Sequence, residues 1–282
     1  MKKPVIALMY DFDKTLCTKD MQEYTFIPNV GMEPADFWEE VGKLVKRTRM
    51  DPILAYMYTM LDKARSVHQS IRREDFVDSG KALELYRGVA TWFDRVNKIG
   101  EDAGARIEHY IISSGLREII EGSEIQDKFN DIFACEFYYD ENGVATWPKN
   151  VVNYTTKTQF LFRINKGILD LTDNKGLNEF TPEEERRIPF RNMIYLGDGM
   201  TDVPCMKLVK INGGYSIAVF KENKSIAEDL LKSGRVNFVA RADYSRGGAL
   251  EKTVRDIITK MVITDSLVRE NKAQLAGTDS VR

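Results

Sequence analysis

The chain has 282 residues, 43% hydrophobic and 30% charged, with 41 basic against 43 acidic side chains and a formal net charge of -2. At about 100–200 residues per domain this length gives one large domain or two modest ones, and the near-neutral balance removes any global electrostatic drive toward nucleic acid or an anionic membrane. Mean hydropathy is -0.36, and no apolar run reaches the roughly 18 residues that a bilayer-crossing helix needs.

In chain order, Met1-Lys2-Lys3 is followed by an uninterrupted apolar run, Val5 to Tyr10, the mark of a strand buried on both faces of a parallel sheet. The run is short and meets Asp11 without a small-residue cleavage site, so no signal peptide is expected. From Pro34 to about Tyr86 the spacing turns helical, with Phe37, Val41, Leu44 and Val45 on one face and Ile53, Met57, Leu61 and Ala64 on another. A helix is expected from Val89 to Ile99, a second strand from Ile107 to Ile112 and a further helix after Ser113-Ser114-Gly115. Later strands are predicted at Ile132 to Tyr139, ending in a turn at Glu141-Asn142-Gly143, and at Met193 to Leu196, Ser216 to Phe220 and Val236 to Ala240. Helices between most of them give the βαβ signature of an open α/β sheet, Rossmann-like, doubly wound and mostly parallel, with an all-helical stretch inserted after its first strand. Leu171 to Ile188 reads as a solvated insertion and Ala276 to Arg282 as a fraying tail.

Three widely spaced cysteines (Cys17, Cys135, Cys205) form neither a disulfide framework nor a zinc knuckle, and reduced thiols suit a cytoplasmic location. With only His68 and His109 as imidazoles, any metal is expected on oxygen ligands. Both histidines read as structural.

Ligands of doubly wound sheets bind beyond the carboxyl ends of the strands. The first strand delivers Asp11-Phe12-Asp13-Lys14-Thr15 there, the second Ser113-Ser114-Gly115, and the strand at Met193 delivers Gly197-Asp198-Gly199-Met200-Thr201-Asp202. Several carboxylates so close cannot all stay ionised without a countercharge. Hard oxygen ligands point to Mg²⁺, which commonly bridges to a substrate phosphate.

These motifs resemble those of haloacid dehalogenase superfamily phosphatases, in the subgroup that includes phosphoserine phosphatase. Asp11 to Leu16 matches the first motif, Ser113 the second, Lys157 the third and Gly197 to Asp202 the fourth, with a helical cap between the first and second. The resemblance implies a catalytic core over residues 1–15 and 88–282 and a cap over 16–87. It implies Asp11 as the nucleophile of an aspartyl-phosphate mechanism and Asp13 as acid and base, with Ser113 and Lys157 holding the transferring oxygens. Mg²⁺ would lie on Asp11, Asp13 (through its backbone carbonyl), Asp198 and Asp202. Ser114 competes with Ser113 for its role, and Lys149 and Lys166 lie near Lys157.

Thr15, Ser114, Gly115, Asp20 and Glu23 are the expected substrate-side residues, and the substrate class is a small phosphorylated metabolite. Tyr24, Phe26, Tyr56 and Met57 are candidates for an apolar leaving-group pocket, and Lys46, Arg47 and Arg49 for a substrate carboxylate. The rival readings are a phosphotransferase or mutase on the same fold, a phosphoryl-accepting receiver module, an ion-pump phosphorylation domain with Asp13 as nucleophile, and a silent binding protein. Partners among nucleic acids and membranes are not expected, and oligomeric state is left open.

Overall fold

The computed structural model describes residues 3–279. Among these, seven strands form one sheet in the order β4-β3-β2-β1-β5-β6-β7. Its centre is β1 (Val5–Tyr10), which pairs in parallel with β2 (Arg106–Leu116) on one side and β5 (Met193–Gly197) on the other. Neighbours on both edges and helices on both faces explain why β1 is apolar without alternation. Outward from β5 lie β6 (Tyr215–Phe220) and β7 (Phe238–Arg241), both parallel. Outward from β2 lies β3 (Asp131–Tyr139), parallel, and then the antiparallel β4 (Ala145–Asn150).

Between β1 and β2 the chain makes a helical excursion through α1 (Phe26–Asn29), α2 (Pro34–Thr48), α3 (Pro52–Ser66) and α4 (Arg73–Ser79) before α5 (Val89–Ala103) crosses back to the sheet. It leaves and returns at one place, where Cys17 bridges Leu85 and Tyr86 N donates to Leu16 O. The excursion also leans on the β3–β4 hairpin, because Ala145 N donates to Ile71 O at 2.8 Å. After β2 come α6 (Arg117–Glu121) and, past the hairpin, α7 (Lys157–Lys166) and α8 (Asn174–Asn178). Then α9 (Val203–Ile211), α10 (Ser225–Lys232) and α11 (Ala249–Asp279) follow β5, β6 and β7. Strand order departs in opposite directions from β1, so right-handed crossovers put α5 on one face and α9 with α10 on the other.

Several boundaries differ from the sequence reading. β2 does not stop at Ile112 but continues to Leu116, with its register against β3 shifting after Ile112, so Ser113-Ser114-Gly115 belongs to an irregular strand end. β4 was not expected, since Trp147-Pro148 interrupts the pattern and proline sits only on edge strands, which β4 is. β7 begins at Phe238, with Val236 buried just ahead of it. The segment from Leu171 to Ile188 is mostly exposed, yet it is pinned at its end by buried Ile188 and by Arg187, whose guanidinium reaches Glu108 on β2 at 2.7 Å. At the C-terminus α11 carries helix through 276–279 in place of the expected fraying, while 280–282 lie outside the described residues.

Candidate active site

The loop after β1 is folded tightly on itself. Phe12 O accepts from the amides of Thr15, Leu16 and Cys17, and Lys14 takes a left-handed φ of 55° to allow it. Asp11 N still pairs with Leu196 O of β5 at 2.9 Å, so the Asp11 carboxylate, 5% exposed, stands at the junction of β1 and β5 where the strand order reverses. Asp13 is set apart from it. Its Oδ1 accepts from Met21 N at 2.8 Å and from Cys17 Sγ at 3.6 Å, leaving Oδ2 without a hydrogen-bond partner among the described residues.

Lys157 opens α7 and is fully buried beneath this loop, with Nζ 3.0 Å from Asp11 Oδ1 and 2.7 Å from Asp202 Oδ1. Tyr195 Oη donates to the same Asp202 oxygen at 2.8 Å. Glycine at 197 is required, because a Cβ there would lie 2.4 Å from Asp202 Oδ2. Carboxylate oxygens of Asp11, Asp198 and Asp202 lie within 4.8 Å of one another. Burial, reinforced by the Asp202 charge, pushes Asp11 up to about 6 against the pull of Lys157. Burial and then the charges of Asp11 and Asp202 push Asp198 well above the ordinary carboxylate range. Burial would lower Lys157, but Asp11 and Asp202 outweigh it and keep it protonated. One lysine thus faces three clustered carboxylates, and an all-oxygen set short of positive charge fits a hard divalent cation.

Above the cluster opens a cleft of about 320 Å³, with Asp11, Asp13, Asp198, Ser113 and Ser114 at its floor and residues of the helical insertion as its wall. Ser113 is fully buried and its Oγ accepts from Gly115 N at 3.0 Å. Ser114 Oγ has no partner, while its carbonyl accepts from Tyr56 Oη at 2.7 Å. A second bond closes the wall from the other end, where Asn153 Nδ2 donates to Asp51 Oδ2 at 3.0 Å.

Of the residues expected on the substrate side, Ser114 and Asp20 line the cleft, and Asp20 pairs with Lys14 at 2.5 Å. Thr15, Gly115 and Glu23 do not. Thr15 is buried in the loop, where its carbonyl accepts from Tyr244 Oη. Gly115 gives room to Met21 and Asp13 Oδ2, and Glu23 accepts from Trp38 Nε1 at 3.0 Å. Among the four apolar candidates only Tyr56 lines the cleft; Phe26 and Met57 are core, and Tyr24 Oη is engaged with Thr18. Lys46, Arg47 and Arg49 are exposed at the far end of α2 and away from it. Gln22, Trp38, Ile53 and Tyr154 line the cleft without having been anticipated. A signal existed for Ile53 alone, since Asp51-Pro52 is a helix start and places the first turn of α3 at the cleft.

A carboxylate-floored cleft at the C-terminal edge of a doubly wound sheet, roofed by helices inserted after the first strand, defines a Rossmann-like α/β protein with its ligand site where the strand order reverses. The chain belongs to the haloacid dehalogenase-like hydrolase family, whose profile matches residues 8–207. An uncharacterized protein of Borreliella burgdorferi is 28% identical over 284 residues, spanning 91% of this chain and 98% of that one. Among solved structures, a haloacid dehalogenase family hydrolase from Salmonella enterica serovar Typhi aligns with TM-score 0.56 and 15% identity over 80% of this chain, which spans 66% of that one. A phospho-aspartyl intermediate analogue of phosphoserine phosphatase aligns with TM-score 0.52 and 15% identity over 87% of this chain and 95% of that chain. Likenesses at this identity establish the fold.

Proposed function

We propose that the protein is a phosphatase that hydrolyses a small phosphomonoester through an aspartyl-phosphate intermediate. The observation that carries the reading is the pairing of two differently held carboxyls: Asp11 bridged by buried Lys157 within a carboxylate cluster, and Asp13 outside that cluster with Oδ2 free. In this reading a carboxylate oxygen of Asp11 attacks phosphorus as the bond to the alcohol oxygen breaks. Asp13 Oδ2 gives its proton to the departing alkoxide. Burial, with the charges of Asp20 and Asp11, holds Asp13 well above the ordinary range, which suits a group that must be protonated at that moment. Asp13 then takes a proton from water, whose oxygen displaces the Asp11 carboxylate from phosphorus and frees inorganic phosphate.

Ser113 Oγ and Lys157 Nζ would steady the transferring oxygens. Asp11, Asp198 and Asp202, with the Asp13 carbonyl, would hold Mg²⁺, which when bound supplies the positive charge that lets a dianionic ester approach an anionic carboxylate. Residues 1–15 and 88–282 would form the catalytic core and 16–87 the cap, a division that the return of the chain at Cys17 and Leu85 supports.

The test is a screen over small phosphomonoesters with Mg²⁺ and with EDTA, comparing wild type with Asp11→Asn and Asp13→Asn. Metal-dependent turnover lost in Asp11→Asn is expected. Turnover that survives Asp11→Asn would remove the nucleophile assignment, and absence of turnover on every ester would remove the phosphatase reading.

A further inference from the structure

Met21 joins two strand ends that the proposed reaction uses together. Its N–H donates to Asp13 Oδ1 at 2.8 Å, and its Sδ accepts from Leu116 N at 3.0 Å. The first bond reaches the loop after β1, and the second reaches the end of β2 just beyond Ser113. Met21 has no solvent exposure, and it opens a single helical turn, Met21–Glu23, where the chain enters the helical insertion. Gly115 completes the arrangement. A Cβ at that position would collide with Met21 Cε and would lie 2.9 Å from Asp13 Oδ2. The bare backbone of Gly115 therefore lets the methionine and the Asp13 carboxyl lie against β2.

Each of these contacts removes a freedom from Asp13. The terminal torsion of an aspartate is soft, and a bond at Oδ1 leaves Oδ2 as the oxygen that can turn to the cleft, which Asp13 lines. That bond is only as firm as the Met21 backbone, which the Sδ contact and the packing on Gly115 hold in place. An unbranched thioether suits the task, being slender and carrying a weak acceptor for a buried amide. Leucine would fill similar space and leave the Leu116 N–H without that acceptor. We infer that Met21 is a positioning residue for the proton transfer: it fixes the Asp13 carboxyl against the end of β2 so that Oδ2 meets the departing alcohol oxygen. There the proton on Oδ2 passes to the alkoxide as the bond to phosphorus breaks, and the carboxyl becomes a carboxylate. The inference rests on the phosphatase reading above, with Asp13 as the acid, and adds to it a residue from outside the matched motifs.

A general acid matters most when the leaving group is poor. p-Nitrophenolate departs without a proton, whereas an alkyl alcohol needs one. The test compares kcat/KM, which covers the steps up to departure of the alcohol. It uses p-nitrophenyl phosphate and the alkyl phosphomonoester turned over best in the screen above, with Mg²⁺ present. Met21→Leu is expected to slow the alkyl ester by about tenfold or more, part of the roughly 10²–10⁴-fold that a general acid supplies, and p-nitrophenyl phosphate by no more than about threefold. Gly115→Ala crowds the same methionine and carboxyl from β2 and should shift the ratio of the two esters in the same direction. If Met21→Leu lacks the urea transition of the wild type, the ratio in Gly115→Ala decides. Equal losses on both esters, or none, would overturn the inference and leave the phosphatase reading standing. A wild type that turns over p-nitrophenyl phosphate and no alkyl ester would overturn it as well, since no alcohol then draws on Asp13. No turnover of any ester would overturn both readings together.

Discussion

Lys157 is a cation with no solvent exposure, and it binds two carboxylates that are almost as deeply buried. Removing one partner of such a group leaves uncompensated charge, at a cost of about 3–5 kcal/mol. Lys157→Met is therefore expected to lower the urea midpoint of the metal-free protein sharply, and a midpoint within error of wild type would refute that account. His109 makes the opposite electrostatic choice. It is buried between Tyr10 Oη and Asn97 Oδ1, each at 3.1 Å, and burial pushes the imidazole down from 6.5 to about 3. Between these values the unfolded chain binds a proton that the folded one refuses. The contribution is thus fully present above pH 6.5 and is lost as pH falls, by up to about 1.4 kcal/mol per unit. Urea titrations between pH 7 and 5 should show this slope in wild type and a shallower one in His109→Gln; equal slopes would assign the acid sensitivity elsewhere.

Two hydrogen bonds tie α3 to the core, Asp51 to Asn153 at its start and Tyr56 to Ser114 within it. Asp51 also caps the helix, accepting from Ile53 N and Leu54 N. Asp51→Ala should cost about 1 kcal/mol through the cap, whereas Asn153→Ala leaves that cap in place and removes the tie, together with the bonds its Oδ1 accepts from Thr155 and Thr156 ahead of α7. The latter is expected to speed amide exchange across α3 about fivefold, the equivalent of one net hydrogen bond, and unchanged exchange would show that the tie does not hold α3 down. The central strands and the run of helices after β1 were legible because burial on both faces and 3.6-residue spacing leave direct marks in composition. The acidic strand ends were legible because each follows its strand without a gap. The hairpin strand β4 was hidden by Pro148, and the cleft wall was hidden for a different reason. Gln22, Trp38 and Tyr154 come together only through the way the helical insertion sits on the sheet, a set of long-range contacts that no local pattern encodes. The same cause separates Tyr56, which lines the cleft, from its helical neighbour Met57, which is core.

Across the whole molecule 41 basic residues nearly cancel 43 acidic ones, yet the cancellation fails locally at Asp11, Asp198 and Asp202, where one lysine meets three carboxylates. A cation that binds there binds only the folded chain, and at a hundredfold excess over its dissociation constant it adds about 2.7 kcal/mol. Mg²⁺ is accordingly expected to raise the melting temperature by several degrees relative to EDTA, and Asp198→Asn to abolish most of the rise. An equal rise in Asp198→Asn would place the ion at other ligands.

The three tryptophans of this chain occupy different surroundings. Trp92 is sealed in the core with its indole N–H on Tyr10 Oη, Trp147 is 69% exposed on β4, and Trp38 stands on the cleft wall with its N–H on Glu23. Entry of a ligand replaces water beside Trp38 and leaves the other two as they were. The chain thus carries its own optical probe: a change in emission that vanishes in Trp38→Phe and persists in Trp147→Phe would count occupied clefts in real time, without label or turnover.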